Sequence, residues 1–168
     1  PEQTLFFALV TPRNDGHRYI NELRQQGVRC FVVAQKPEEP MSDDAVFLVV
    51  PDTLQALQTL CAHHRSRFHI PVVAITGSNG KTTVKEWLYQ LLSPDMNVVR
   101  SPRSYNSQIG VPLSLWLIDA HTDLAIIEAG ISQPGEMATL AQMICPTTAV
   151  ITNIGQAHQE NFASMEQK

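Results

Sequence analysis

A short glycine-rich segment contains the residues of this chain that are best suited to chemistry. It follows an apolar, β-branched run, ends in Lys81, Thr82 and Thr83, and leads into a helix-like stretch. Glycines let backbone N–H groups approach phosphate oxygens, and a helix N-terminus adds the positive end of its dipole. In such loops the lysine reaches the β- and γ-phosphates and the threonine hydroxyl coordinates Mg²⁺. The segment predicts binding of ATP or a similar triphosphate by Gly77, Ser78, Asn79, Gly80, Lys81, Thr82 and Thr83.

The spacing of this loop departs from the standard Walker pattern. Ile75 stands where that pattern has its first glycine, six positions before Lys81. A glycine-rich turn between a strand and a helix is the alternative interpretation. Because packing alone hardly explains a Gly-Lys-Thr-Thr run at a strand-to-helix junction, we favour the phosphate-binding loop.

Other polar residues follow apolar runs further along the chain. Glu128 closes the run 124–127, Asn153 follows the run 148–152, and His158 comes shortly after. In parallel α/β sheets, ligands bind beyond the carboxyl ends of the strands. We therefore expect these groups to lie along the same sheet edge as the glycine-rich loop.

Glu128 is a candidate ligand for the same magnesium ion as Thr82. A carboxylate after an apolar run costs free energy unless it is solvated, paired or bound to a metal. Carboxylate and hydroxyl oxygens are suitable ligands for Mg²⁺. A helix-capping or salt-bridged glutamate is the alternative, and His158 by itself is a weak signal.

The segment 106–112 is a polar loop that leads into a helix-like stretch. Its residues Asn106 and Ser107 have amide and hydroxyl groups that a polar ligand could use. A capped helix start is the simpler explanation of the same residues, and the sequence alone leaves both open.

Strands and helices alternate along the chain, which predicts an α/β fold. A small α/β unit is predicted over 1–69 and a parallel-sheet domain over 70–168. The boundary lies in the polar, proline-ended stretch 63–71. The predicted strands are 4–11, 28–34, 45–50, 72–76, 97–100, 124–128 and 148–152; the predicted helices are 17–26, 52–64, 81–92, 111–117 and 135–143.

Composition excludes several classes of function. The net charge is −4 and no run of Lys or Arg is present, which disfavours nucleic acid as a partner. No apolar run is long enough to span a bilayer and no signal peptide is evident, so a cytoplasmic location is expected. The three cysteines are far apart in sequence, which predicts buried structural thiols in a reducing compartment.

Four motifs, in this order and spacing, resemble the Mur ligase family: Thr-Gly-Ser-Asn-Gly-Lys-Thr-Thr at 76–83, Ser-Tyr-Asn-Ser-Gln-Ile-Gly-Val-Pro-Leu-Ser at 104–114, Ile-Ile-Glu-Ala-Gly-Ile-Ser-Gln-Pro-Gly-Glu-Met at 126–137 and Ile-Thr-Asn-Ile-Gly-Gln-Ala-His at 151–158. The resemblance covers essentially the whole chain. The stretch 5–20, with Pro-Arg-Asn-Asp-Gly-His, most resembles members whose substrate is a UDP-linked tripeptide. The Pro-Arg-Asn-Asp-Gly-His and Ser-Tyr-Asn-Ser variants together are most similar to forms fused to an alanine racemase.

The resemblance implies a UDP-sugar-binding domain at 1–69 and the front part of an ATP-binding domain at 70–168. It implies ATP-dependent ligation of D-alanyl-D-alanine to UDP-N-acetylmuramoyl-tripeptide through an acyl phosphate, a step of peptidoglycan precursor synthesis. By the matching motifs it assigns the catalytic residues Lys81 and His158, the metal ligands Thr82, Glu128 and His158, and the substrate residues Asn106 and Ser107. The family often has asparagine at the position of Ser107.

Two family features are expected outside this sequence: a closing third domain, and a carbamylated lysine that bridges the metals a few residues beyond Lys168. We therefore expect the sequence to be a fragment that does not catalyse ligation alone. A module that binds ATP without ligation is one alternative. A folylpolyglutamate-synthase-like ligase is another, disfavoured because it would not be expected to have the Asn-Asp-Gly-His domain.

Overall fold

The computed structural model describes residues 3–11, 14–36 and 45–155. The chain divides into two compact units, Pro1–Leu57 and Gln58–Lys168. Both contain parallel strands with intervening helices, so the predicted α/β class is confirmed. The assignment of 1–69 and 70–168 as functional domains stays a prediction.

The first unit is built on a three-stranded parallel sheet, whose strands lie in the order β1 (Leu5–Phe7), β4 (Cys30–Val33) and β5 (Val46–Val49). Its core contains Phe31, which is fully buried and stacks on Phe47 with ring centroids 5.2 Å apart. In chain order its elements are β1 (Leu5–Phe7), β2 (Val10–Thr11), β3 (Asn14–Asp15), a 3₁₀ turn (Gly16–Tyr19), α1 (Ile20–Gln25), β4 (Cys30–Val33) and β5 (Val46–Val49).

The prediction of a single strand at 4–11 is wrong, because the first strand ends at Phe7 and a separate strand begins at Val10. Ala8 is buried, and the Leu9 carbonyl accepts a hydrogen bond from Gly16 N at 2.8 Å. Residues 10 and 11 then leave the parallel sheet and pair antiparallel with β3. The antiparallel pairing with β3 and the Gly16–Leu9 hydrogen bond decide where β1 ends, and a propensity pattern does not register such contacts.

The Asn-Asp-Gly-His motif is a structural clamp within the first unit. Asp15 Oδ1 accepts from the His17 backbone N–H at 2.9 Å and lies 2.6 Å from His17 Nδ1. The other ring nitrogen accepts from Ala34 N at 2.9 Å, which ties the turn to the end of β4. These bonds from His17 hold the pKa of Asp15 below its usual value. Gly16 is required because a Cβ there would lie 2.8 Å from the Ala8 backbone.

Helix α2 (Thr53–Ser66) follows, and Asp52 caps it by accepting from Leu54 N and Gln55 N. The second unit contains a four-stranded, all-parallel sheet in the order β7-β8-β6-β9. All five residues of β8 are buried, as expected for an interior parallel strand. The remaining elements are β6 (Val72–Thr76), α3 (Lys81–Leu92), β7 (Val98–Arg100), α4 (Gly110–Leu115), β8 (Leu124–Glu128), α5 (Glu136–Ile144) and β9 (Thr148–Ile151).

The cysteine prediction is only partly right. Cys61 is buried, and burial raises the pKa of its thiol to about 11. Cys30 is half-buried, but Cys145, which ends α5 with a φ of +44°, is exposed. In the described ranges, no helix is both long and apolar enough to cross a bilayer.

Candidate functional site

The glycine-rich loop connects β6 to α3, between the predicted strand and helix. Gly77 has φ +128°, and a Cβ there would meet the Thr152 hydroxyl and lie 2.8 Å from the Asn153 carbonyl oxygen. Gly80 has φ +81° and precedes the first residue of α3. Only glycine adopts such backbone angles without strain. The two glycines therefore allow the sharp turn that aims the loop across the end of the sheet.

The segment after β9 holds the loop in place. Ser78 N donates to the Asn153 carbonyl and Asn79 N to Asn153 Oδ1, both at 2.9 Å. The Thr152 hydroxyl donates to the Asn79 carbonyl at 2.6 Å. The sequence indicated that Asn153 follows a strand but gave it no role. Since these two loop N–H groups are already bonded, a phosphate must use other donors.

The N-terminus of α3 supplies such donors. Its first i to i−4 hydrogen bond runs from Val84 N to Gly80 O at 2.9 Å. The N–H groups of Lys81, Thr82 and Thr83 precede this bond and have no partner within the helix. Lys81 Nζ donates to the Gly77 carbonyl at 2.7 Å, so its ammonium lies over the loop itself. Amide donors and a cation together form an anion-binding arrangement.

Thr82 and Glu128 converge at the end of the sheet. Thr82 Oγ1 donates to Glu128 Oε2 at 3.0 Å, although the residues are 46 positions apart. Asn106 Nδ2 donates to the other carboxylate oxygen at 2.7 Å. The Glu128 side chain is only 1% exposed. The structure thus joins one predicted substrate residue to two predicted metal ligands, while their roles stay predictions.

Lys85 completes this group and was missed by the sequence reasoning. Its side chain is fully buried, with Nζ 3.4 Å from Glu128 Oε2 and 3.3 Å from Glu86 Oε1. It also donates to the Arg103 carbonyl. A signal was present, because Lys85 follows Thr82 by three positions on a helix and such residues share a face.

Ser107 lies in the turn that leads into helix α4. Its hydroxyl accepts from Gly110 N at 3.2 Å, and its carbonyl accepts from Val111 N at 3.0 Å. The helix accordingly begins before the predicted residue 111. Ser107 thus bonds the first residue of α4, while the N-cap position itself, Ile109, has no side-chain hydrogen bond. Contact of Ser107 with a substrate stays a prediction.

Replacing Ser107 by alanine is expected to lower the free energy of unfolding by about 1 kcal/mol, because Gly110 N loses the hydroxyl that accepts its hydrogen bond. Asparagine also has a side-chain oxygen that accepts hydrogen bonds, so Ser107→Asn is the matched control and should stay within about 0.5 kcal/mol of the wild type. Urea unfolding monitored by circular dichroism measures both. Equal stability of the alanine variant and the wild type would contradict a stabilising role for this bond.

A cavity of about 430 Å³ opens beside these groups. Five of the residues predicted to bind nucleotide or substrate line this cavity: Gly77, Ser78, Lys81, Asn106 and Ser107. Its other lining residues include Gln108, Gly130, Ile131, Ser132, Glu136, Met137 and Ile154. His158 lies outside the described residues. Within the described ranges, no three His, Cys, Asp or Glu side chains form a group that could hold a metal.

Gly77→Ala is expected to weaken ADP binding at least about tenfold, because its Cβ would push the loop away from Asn153. Isothermal titration calorimetry with ADP measures this. Gly27→Ala is the control, since Gly27 has a similarly positive φ of +97° but lies in the first unit. An unchanged ADP affinity for Gly77→Ala would contradict the proposed use of the loop.

An all-parallel sheet with a glycine-rich loop at a helix N-terminus is typical of a nucleotide-binding domain, and a buried carboxylate lies opposite this loop. The sequence model of the Mur ligase middle domain matches residues 75–167, more than half of the chain. The chain therefore belongs to the Mur ligase family.

Within this family, the chain is similar to ligases of one kind. UDP-N-acetylmuramoyl-tripeptide–D-alanyl-D-alanine ligase of Bacillus subtilis is 34% identical over 98% of this chain and 36% of the relative. A crystal structure of MurF from Acinetobacter baumannii aligns with a TM-score of 0.89 and 32% identity, over 97% of this chain and 35% of that one. MurF from Thermotoga maritima, crystallised in complex with ADP, aligns with a TM-score of 0.87 and 33% identity, over 99% and 38%. The chain thus spans just over a third of the length of these relatives.

Proposed function

We propose that the full-length protein is an ATP-dependent ligase that joins D-alanyl-D-alanine to UDP-N-acetylmuramoyl-tripeptide in peptidoglycan precursor synthesis. The observation on which this rests is the Thr82–Glu128–Asn106 group at the mouth of the phosphate-binding loop. The names and alignments of the relatives support the choice of substrates. The proposal includes UDP-sugar binding by residues 1–69 and a cytoplasmic site of reaction.

In this reaction the tripeptide carboxylate attacks the γ-phosphorus of ATP, giving an acyl phosphate and ADP. The amine of D-alanyl-D-alanine then displaces phosphate and forms the amide. Positioning and charge neutralisation dominate such catalysis. Lys81 is assigned to the terminal phosphates, and the N–H groups at the start of α3 to the remaining phosphate oxygens. Asn106, fixed by Glu128, is assigned to the UDP-linked substrate together with Ser107.

The residues present fit a magnesium ion. Thr82 and Glu128 offer hard oxygen donors 3.0 Å apart, close to the spacing of neighbouring ligands around an ion with metal–oxygen distances of about 2.1 Å. Two protein ligands suit Mg²⁺, which commonly takes its other ligands from phosphates and water. When bound, it would supply positive charge to the phosphates. His158 is proposed as a further ligand.

The experiment is phosphate release by the full-length protein with ATP, Mg²⁺, the UDP-linked tripeptide and D-alanyl-D-alanine. We expect release that requires both substrates and produces a UDP-linked pentapeptide detectable by mass spectrometry. ADP binding without any ligated product would instead support the module that binds ATP without ligation. The covalent fusion to an alanine racemase is a further proposal, tested by the mass of the native polypeptide.

A further inference from the structure

The ammonium of Lys85 is the one buried cation among the described residues that lies against the site's carboxylate. It has no exposed surface, and its position on α3 directs it towards the sheet rather than into solvent. Buried charges are retained when they are paired and hydrogen-bonded. The partners of this ammonium come from three parts of the second unit: α3 itself, the end of β8 and the loop that precedes α4.

The ammonium has three N–H donors, and two of its partners lie away from the site's carboxylate. Glu86 Oε1 lies 3.3 Å away at a third-exposed position, and the Arg103 carbonyl accepts a hydrogen bond. Arg103 has φ +48°, so this loop turns its carbonyl towards Lys85 at an unusual backbone angle. The contact with Glu128 is additional, and it places a positive charge beside the predicted metal ligand.

That charge lies against the oxygen that also faces Thr82. Glu128 Oε2 accepts from the Thr82 hydroxyl at 3.0 Å and lies 3.4 Å from Lys85 Nζ. Oppositely charged groups at this distance interact strongly where water is excluded, and a second cation arriving at the carboxylate is repelled by the first. Glu128 paired with Lys85 is therefore a weak site for a free divalent ion.

We propose that Lys85 is a fixed counter-cation of Glu128 that makes divalent-cation binding depend on the nucleotide. This inference rests on the proposed function. In the absence of nucleotide, Lys85 neutralises the carboxylate. The phosphates of a bound nucleotide then add the negative charge that recruits the ion to Thr82 and Glu128. Lys85 acts through Glu128 and is a positioning residue.

The test is Mn²⁺ binding to the full-length protein, measured by electron paramagnetic resonance without nucleotide and again with saturating ADP. Lys85→Gln removes the charge but keeps a donor for the Arg103 carbonyl. We expect free Mn²⁺ to bind Lys85→Gln at least about tenfold more tightly than the wild type. We expect similar Mn²⁺ affinities for the two proteins at saturating ADP, where the phosphates supply the negative charge, so ADP should enhance Mn²⁺ affinity about tenfold less in Lys85→Gln than in the wild type.

Two further variants locate the effect. Glu86→Gln is the matched control, because it removes the other carboxylate beside Lys85, and we expect Mn²⁺ binding within about twofold of the wild type. Lys85→Gln combined with Glu128→Gln should bind free Mn²⁺ as weakly as the wild type does. Tight binding by this double variant would place the ion elsewhere and overturn the proposal.

Unchanged or weaker binding of free Mn²⁺ by Lys85→Gln would also overturn it. If that variant does not fold, Lys85→Met is tested in its place, and we expect it likewise to bind free Mn²⁺ more tightly than the wild type. Failure of both to fold would show that the ammonium is a requirement of the fold and not a separable control of metal binding. A wild-type protein that binds no ADP would contradict the proposed function itself, which distinguishes the two failures.

Discussion

Replacing Lys81 by alanine in the full-length protein is expected to lower kcat/KM for ATP by about 10²–10³-fold or more. The ammonium lies over the loop, 2.7 Å from the Gly77 carbonyl, and is the one lysine side chain lining the described cavity. Its removal takes away a positive charge aimed at the place where phosphate charge develops. Steady-state phosphate release at varied ATP concentration measures the loss.

The fold should tolerate this change. The one hydrogen bond recorded for Lys81 Nζ is to its own loop, so the free energy of unfolding should fall by no more than about 1 kcal/mol. Gln90→Ala, at an exposed position on the same helix, is the control and should keep wild-type kinetics. Turnover near the wild-type rate in a folded Lys81→Ala protein would remove Lys81 from the proposed site.

Glu128→Gln is expected to affect both activity and stability. Activity should fall by about 10²-fold or more, because the charged acceptor that holds Thr82 and Asn106 in place is lost. Stability should fall by about 2 kcal/mol or more, since the buried ammonium of Lys85 loses its buried partner. Phosphate release and urea unfolding measure the two effects separately.

Glu86→Gln is the control for Glu128→Gln, because it shows what the loss of the other carboxylate beside Lys85 does by itself. The chemical change is identical, but the Glu86 side chain is 33% exposed, so the stability loss should stay below about 1 kcal/mol. Activity should stay close to that of the wild type. Equal losses of stability and activity in the two variants would mean that Glu128 only neutralises Lys85 of α3 and does not organise a site.

Local patterns in the sequence were enough to predict most elements and the position of the loop. The glycine spacing and the Lys-Thr-Thr run defined a turn between β6 and α3, and the apolar run before Glu128 defined a buried strand. Such signals depend only on residues that are neighbours in sequence, so they can be recognised without knowledge of the fold. The helix predicted at 81–92 and the strands at 72–76 and 124–128 have the predicted bounds. The end of β1 at Phe7 was missed because it depends on contacts with residues 14–16, which a local pattern does not register. The exposure of Cys145 was also missed.

Only the tertiary structure decided which distant side chains meet. The strand order β7-β8-β6-β9 places Ile75 beside Glu128, so Thr82 at the start of the next helix reaches the carboxylate. Pairing of β9 with the other side of β6 puts Asn153 under the loop, and Lys85 is enclosed beside Glu128. A period of apolar residues encodes neither placement. A buried charge is defined by what surrounds it on all sides, and those surroundings come from segments tens of residues apart. The sequence by itself therefore determined which chemistry the loop suits, while packing determined the carboxylate's partners.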